Sequence, residues 1–293
     1  MKKLKIVLFV IFVAAAISFL INLLLGKSFK GIEVAAKPKV GVVKVYGVIR
    51  SSDKYLKLLE RVEKDKSVKA VVLRVDSPGG VVGACQEIHD KVKELKKKKP
   101  VVVSMGSVAA SGGLYISVPA TKIVANPGTI TGSIGVIIQT YNLRKLAQKI
   151  GVEVITVKSG RFKDLLNPFK EPDPEALKIV QQLIDDSYQQ FVEAVAEGRN
   201  LPVEKVKEFA DGRIFTGRQA KELGLVDELG SIEKAVEVAK RLAKCPNCEV
   251  KEVKEKKSFL EVLAGEQSST TLKTLFKAVS GDVEEVNLMY LLK

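Results

Sequence analysis

Val68–Lys98 reads VKAVVLRVDSPGGVVGACQEIHDKVKELKKK, and its reading decides the fold. Val68–Val75 is a nearly continuous β-branched run, the pattern of a strand buried on both faces. Asp76-Ser77-Pro78-Gly79-Gly80 closes it with turn residues, and Gln86–Lys98 follows with the spacing of a basic amphipathic helix. Working outward, Val40–Ile49 and Val101–Ser104 read as neighbouring strands, with the helical stretch Tyr55–Lys66 between Val40–Ile49 and Val68–Val75. Downstream, Lys122–Ala125 and Val152–Val157 read as strands and Asn142–Ile150 as a helix. Pro174–Ala196 reads as a long helix with Asp173 as its N-cap, and Ile232–Ala243 as another. Strands alternating with helices predict an α/β fold with crossover helices.

The chain has 293 residues, 46% hydrophobic and 28% charged, enough to bury a core and too apolar to be disordered. Of the formal charge of +14, five lysines lie in residues 1–30, leaving +9 on residues 31–293. Much of that is lysine beside glutamate, without the aromatic interleaving that stacks bases, so nucleic acid is not the expected partner. Ile6–Leu25 is twenty residues without a charge, and as a helix it spans roughly 30 Å, the thickness of a bilayer's hydrocarbon core. The expected organisation is a cytoplasmic N-terminus over residues 1–5, a transmembrane anchor over 6–25 and a linker over 26–38. A catalytic domain over 39–250 and a tail over 251–293 follow. The excess of lysine ahead of the anchor places the remainder outside the cytoplasm, on a single-pass protein of the cell membrane.

Three glycine-rich segments interrupt the apolar pattern: Asp76–Gly80, Ser107–Gly113 and Thr131–Gly135. None carries a phosphate fingerprint, and nothing in the chain calls for a cofactor. Glycines leave backbone N–H groups unobstructed, as an oxyanion hole requires. Ser111 is the nucleophile candidate on local grounds, since Ala109 and Ala110 keep it open and Gly112-Gly113 permits a sharp elbow; Ser104, Ser107 and Ser117 compete. A serine needs a base, and the chain has one histidine, His89. The other choice is a lysine. At an unperturbed pKa of about 10.4 a lysine is almost wholly charged at pH 7, so a lysine base has to be desolvated. Lys163, flanked by Phe162 and Leu165, is the candidate, provided that Asp164 points elsewhere. Cys245 and Cys248 form a CxxC after a helix, read as a local disulfide; a lone CxxC is a poor zinc site, so no metal is expected.

Taken in order, DSPGG, MGSVAASGGLYIS, NPGTITGSIGV, KSGRFKD and TGRQAKELGLVD behind an N-terminal anchor resemble the signal peptide peptidase A family. The resemblance spans about Asp76 to Asp227. It implies the fold shared by crotonase and the Clp protease, and a serine endopeptidase with a Ser–Lys dyad. Carried over residue by residue, it makes Ser111 the nucleophile, Lys163 the base and Ser133 the residue that orients the lysine. Gly79 and Gly80 match the oxyanion-hole turn, with an amide at Ser111 or Gly112 as second donor. Leu114 departs from the family, which commonly has an aromatic residue there. The resemblance further implies hydrophobic peptide substrates such as remnant signal peptides, a bilayer, and a homo-oligomeric ring such as an octamer, whose serine and lysine can come from neighbouring copies. A protease cutting transmembrane segments of a partner, a crotonase-type acyl-thioester enzyme and a non-catalytic membrane scaffold are the rival readings.

Overall fold

The computed structural model describes residues 9, 12–18, 20, 37–254 and 289–291. The chain divides into two compact units after Lys37. Most of the expected anchor therefore lies outside the described residues; residues 12–18 within it are helical. Among the described residues no helix is long and apolar enough to cross a membrane.

The second unit is a mixed α/β fold around a largely parallel sheet. Its strands are β1 (Lys39–Tyr46), β2 (Val68–Ser77), β4 (Val101–Ala110), β5 (Lys122–Ala125), β6 (Ile130–Gly132), β7 (Ile214–Thr216), β8 (Glu228–Leu229) and β9 (Glu249–Glu252). The order is β7-β6-β4-β2-β1-β9, with β5 on β4 and β8 on β5. Only β6 and β7 run antiparallel in this sheet. The reason for the long strands is visible in their side chains, which alternate between two apolar clusters. Val43, Val45, Val71, Leu73, Val75, Val101, Val103 and Met105 enter one, while Val40, Val42, Ala70, Val72 and Val102 enter the other. The first cluster receives Leu58 and Leu59 of α1 (Asp53–Lys64), Ile88 and Val92 of α2 (Val82–Lys98), and Phe191 and Val195 of α5 (Pro174–Arg199). The second receives Ala235, Val238 and Ala239 of α8 (Ile232–Leu242). Asp173 caps α5 as expected, its carboxylate accepting from the Glu175 amide, with Pro174 at the first helical position.

β4 is forked. Val102–Met105 pairs with β5, Val108–Ala110 pairs with β6, and Gly106 lies at the parting. A Cβ at Gly106 would lie 2.6 Å from the Asp76 carboxylate, which itself accepts from the Val108 amide at 3.0 Å.

The structure departs from the sequence reading in three places. Val152–Val157 is not a strand: among the described residues no strand pairs with it, and Ile155 and Val157 are 82% and 95% exposed. The expected helix over 142–150 shrinks to α4 (Arg144–Lys149). Residues 251–252, assigned to the tail, belong to the edge strand β9 alongside β1. Between β7 and β8 lies α7 (Gly217–Glu222), closed at its start by a reciprocal capping box of Thr216 and Gln219, and α6 (Val203–Lys207) follows α5. A two-stranded ribbon completes the unit: β3 (Gly79–Val81) pairs antiparallel with β10 (Met289–Leu291).

Candidate active site

The end of β2, the end of β4 and the end of β6 meet at one place, and each ends in one of the glycine-rich segments. At the first, the Ser77 hydroxyl accepts from the Gly79 amide at 3.1 Å, holding the turn after Pro78. Gly79 sits at φ +118, a conformation closed to other residues, and a Cβ there would lie 1.9 Å from the Tyr290 carbonyl oxygen and 2.9 Å from the Gly112 nitrogen. Because its N–H is taken by Ser77, Gly79 shapes the turn rather than donating from it. Gly80 is equally crowded, and a Cβ at Gly112 would lie 2.9 Å from the Gly80 nitrogen. The two glycine turns are thus packed backbone to backbone.

Ser111 follows directly on β4 and opens the one-turn helix α3 (Gly112–Tyr115). Its backbone lies at φ 51, ψ −118, outside the ordinary regions for a side-chain-bearing residue. The Ser111 amide donates to the Gly132 carbonyl at 2.8 Å, which ties the elbow to β6. Among the described residues the Ser111 Oγ is the one buried side-chain polar atom without a hydrogen-bond partner. Buried polar groups are nearly always paired, so an orphaned hydroxyl at a strained elbow is an exception that the fold itself does not explain.

The rival serines are all accounted for otherwise. Ser117 donates to the Gly113 carbonyl at 2.6 Å, Ser104 accepts from Arg74 at 2.8 Å, and Ser107 is exposed. His89 does not reach Ser111: its Nδ1 lies 3.0 Å from Asp90 and its ring packs on Tyr115. Burial pushes its pKa down. Ser133 lies three residues past Ile130, buried, at φ 51, with its amide donating to the Arg213 carbonyl at 2.8 Å.

Lys163 stands apart. It is exposed on an irregular segment, its amide donating to the Gly160 carbonyl at 3.2 Å, and within one chain it does not touch the Ser111 hydroxyl. Asp164 is turned to Lys158 and Lys170, whose hydrogen bonds hold its carboxyl well below the usual carboxylate range. Arg161 pairs with Asp173 at 3.0 Å and Glu175 at 2.6 Å, tying this segment to the start of α5. A groove of about 360 Å³ runs beside it, lined in part by Tyr141, Phe162, Leu165 and Leu177. The structure thus gathers Ser111, Ser133, Gly79, Gly80 and Gly112, and leaves Lys163 outside.

Sequence reasoning did not single out Ser77, although a serine before Pro-Gly-Gly is a signal for it. Cys245 and Cys248 are disulfide-bonded with Cα atoms 5.4 Å apart, and Cys85 is a buried free thiol, its pKa raised by burial to about 12. Among the described residues no cluster of His, Cys, Asp and Glu could hold a metal.

Comparison with known proteins adds a second line of argument. The model of a family described as peptidase family S49 matches residues 93–245, and one described as Clp protease matches residues 46–131. Over 213 residues the sequence is 52% identical to a Synechocystis protein named as a protease, covering 72% of this chain and 76% of that one. It is 38% identical over 269 residues to a protein of Methanocaldococcus jannaschii also named as a protease, covering 86% of each. It is 37% identical over 196 residues to the chloroplastic serine protease SPPA of Arabidopsis thaliana, covering 67% of this chain and 29% of that one.

Proposed function

Since the chain belongs to peptidase family S49 and is a serine peptidase of the signal peptide peptidase A kind, we propose that it is a membrane-anchored endopeptidase whose nucleophile, Ser111, is completed by Lys163 of a second copy. The observation that carries this reading is the Ser111 hydroxyl, buried and unpartnered at a strained elbow between glycine turns. A lysine beside it has to shed its proton to act, which an ammonium in water does not do at neutral pH. Lys163 is in water in the single chain, and the residues just before it, Val152, Val154, Ile155 and Val157, are a bare strand-like run. A neighbouring copy laid against that run covers the valines and dries the amine in one step. Such head-to-tail contacts close into a ring when the rotation from copy to copy closes.

On this reading neutral Lys163 takes the proton from Ser111 Oγ as the oxygen attacks the scissile carbonyl. The amides of Gly80 and Gly112 hold the oxyanion, each worth on the order of 3–4 kcal/mol to the transition state. The lysine ammonium, kept in line by Ser133, then protonates the leaving amine. Water, activated by the same amine, releases the acyl group and restores Ser111. The uncharged run Ile6–Leu25 fastens the enzyme to the cell membrane in a single pass, with the catalytic unit outside the cytoplasm. Substrates are hydrophobic peptides, remnant signal peptides foremost.

Co-expression of two inactive full-length variants, Ser111→Ala and Lys163→Ala, tests the shared site. With the dyad between copies, random mixing leaves about one site in four with both groups, and activity returns to about a quarter of the parent's. With the dyad inside one chain, no mixed site has both, and the mixture stays dead.

A further inference from the structure

β4 carries more residues than the strand it lies beside. Val75 pairs with Met105 and Ser77 with Ala109, so where β2 advances by Asp76 alone, β4 advances by residues 106–108. The two extra residues form a bulge at the fork, where pairing passes from β5 to β6. This excess sets the register of the site. Counting on from the Ser77–Ala109 pair, Ser111 comes level with Gly79, in keeping with the 2.9 Å between a Cβ on Gly79 and the Gly112 nitrogen. Without the bulge Ala109 would stand there, and Ser111 would lie about 6–7 Å further along, the rise of two residues. A bulge takes main-chain groups out of the ladder, and they need other partners. Two side chains supply them. Asp76 Oδ1 accepts from the Val108 amide at 3.0 Å, and the carboxylate lies so close to Gly106 that a Cβ there would meet its Cγ and Oδ2 at 2.6 Å. From the other flank the buried Thr129 hydroxyl donates to the Gly106 carbonyl at 2.6 Å. Asp76 is itself fixed, paired with Tyr46 of β1 and with its carbonyl accepting from the Gly47 amide at 3.0 Å. Only Ala109 and Ala110 separate the bulge from Ser111, too short a stretch to absorb a slip.

We propose that Asp76 and Thr129 are positioning residues of the peptidase: they clamp the bulge that sets Ser111 against the glycine turn, Asp76 through its acceptor oxygen rather than its charge. The inference rests on Ser111 being the nucleophile. The Ser111 Oγ has no hydrogen-bond partner, so both residues act on it through the strand. Loss of either clamp leaves a main-chain group of the bulge unpaired and lets β4 shift along β2. The serine then attacks off line from a carbonyl held by the glycine turn, while the contacts that bind the rest of a peptide are untouched. The defect therefore falls on kcat and spares KM.

The test uses the solubilised full-length protein, an apolar fluorogenic reporter peptide and a fluorophosphonate label, at a temperature where circular dichroism shows each variant folded. Asp76→Asn keeps an acceptor oxygen in place, and its kcat is expected to stay within about threefold of the parent's. Asp76→Ala removes the acceptor. Its kcat and its rate of labelling at Ser111 are expected to fall together by about a hundredfold, the cost of a shift of about 1 Å, with KM within about twofold. Thr129→Val keeps the shape without the hydroxyl and is expected to lower kcat by about tenfold, which Thr129→Ser restores. If Asp76→Ala does not fold, the two Thr129 variants decide. An Asp76→Asn variant no better than Asp76→Ala assigns the effect to charge and overturns the proposal. So does a parent-like kcat in folded Asp76→Ala or in Thr129→Val, or a raised KM with kcat unchanged. Labelling of the parent separates the two levels of the argument. Label on Ser111 with parent-like turnover in the variants defeats the positioning alone, and absence of label at Ser111 defeats the nucleophile beneath it.

Discussion

Replacing Ser111 by alanine is expected to make the protein inactive and more stable at the same time. The hydroxyl is buried without a partner, and leaving such a group unmade costs about 1–3 kcal/mol. Alanine removes that cost and forfeits only the few dispersion contacts of one oxygen atom, so the net gain is about 1–2 kcal/mol. For a domain of this size each kcal/mol moves the melting midpoint by about 2–4 °C, which gives a rise of about 2–8 °C. Glycine at the same position additionally relieves the φ 51, ψ −118 conformation, worth about 1–3 kcal/mol, against about 0.5–1 kcal/mol for the freedom it adds to the unfolded chain. The control is Ser117, whose hydroxyl donates to the Gly113 carbonyl at 2.6 Å; its alanine variant is expected to lose about 1 kcal/mol. Calorimetry on the solubilised full-length proteins, with peptidase assays alongside, reads all four. Two buried serines six positions apart should shift the midpoint in opposite directions. If Ser111→Ala melts below the parent, the hydroxyl holds the fold together, and the reasoning that makes it a group reserved for chemistry is wrong.

Gly79→Ala, with a Cβ 1.9 Å from one backbone oxygen and 2.9 Å from a backbone nitrogen, should lose turnover by about a hundredfold or more through displacement of the neighbouring amides, measured as kcat with Ser111 labelling as a fold check. Glu63, hydrogen-bonded by Lys91 and Lys98, has its pKa lowered from 4.5 to about 2. Because the folded value is the lower one, its contribution is complete above pH 4.5 and fades as the pH falls toward 2. In denaturant titrations Glu63→Gln should therefore be less stable than the parent at pH 7, and that gap should narrow at pH 3; a gap independent of pH contradicts the assignment. Reducing the Cys245–Cys248 disulfide opens a very short loop, so the expected loss is about 2 kcal/mol of stability at most, with peptidase activity retained.

How much of this was legible in the sequence follows from where each element draws its stability. β1, β2 and β4 are buried on both faces, so their runs of valine announce them without reference to neighbours. α5 is legible at its start because Asp173 and Pro174 act locally. The short strands are a different matter. Glu249–Glu252 is charged and exposed, and it is a strand only because β1 lies beside it. Val152–Val157 has the better strand sequence and is none, since no strand among the described residues pairs with it. The site divides in the same way. The glycine turns and the elbow at Ser111 are written into adjacent residues, and the sequence reading found them. On the proposed reading the place of Lys163 depends on how chains meet, which its neighbours in sequence do not record, and Tyr290 reaches Gly80 only through a three-residue strand from a distant part of the chain.

The bare valines at 152–157 carry a final consequence on the proposed reading. An enzyme assembled from halves that sit on different molecules has a rate set by crowding. Copies spread thinly over a bilayer remain as fragments of a catalyst, harmless to neighbouring proteins. Where synthesis or lipid partition gathers them, activity rises more steeply than their number. A cell can thus dim this protease by diluting it, with no dedicated inhibitor.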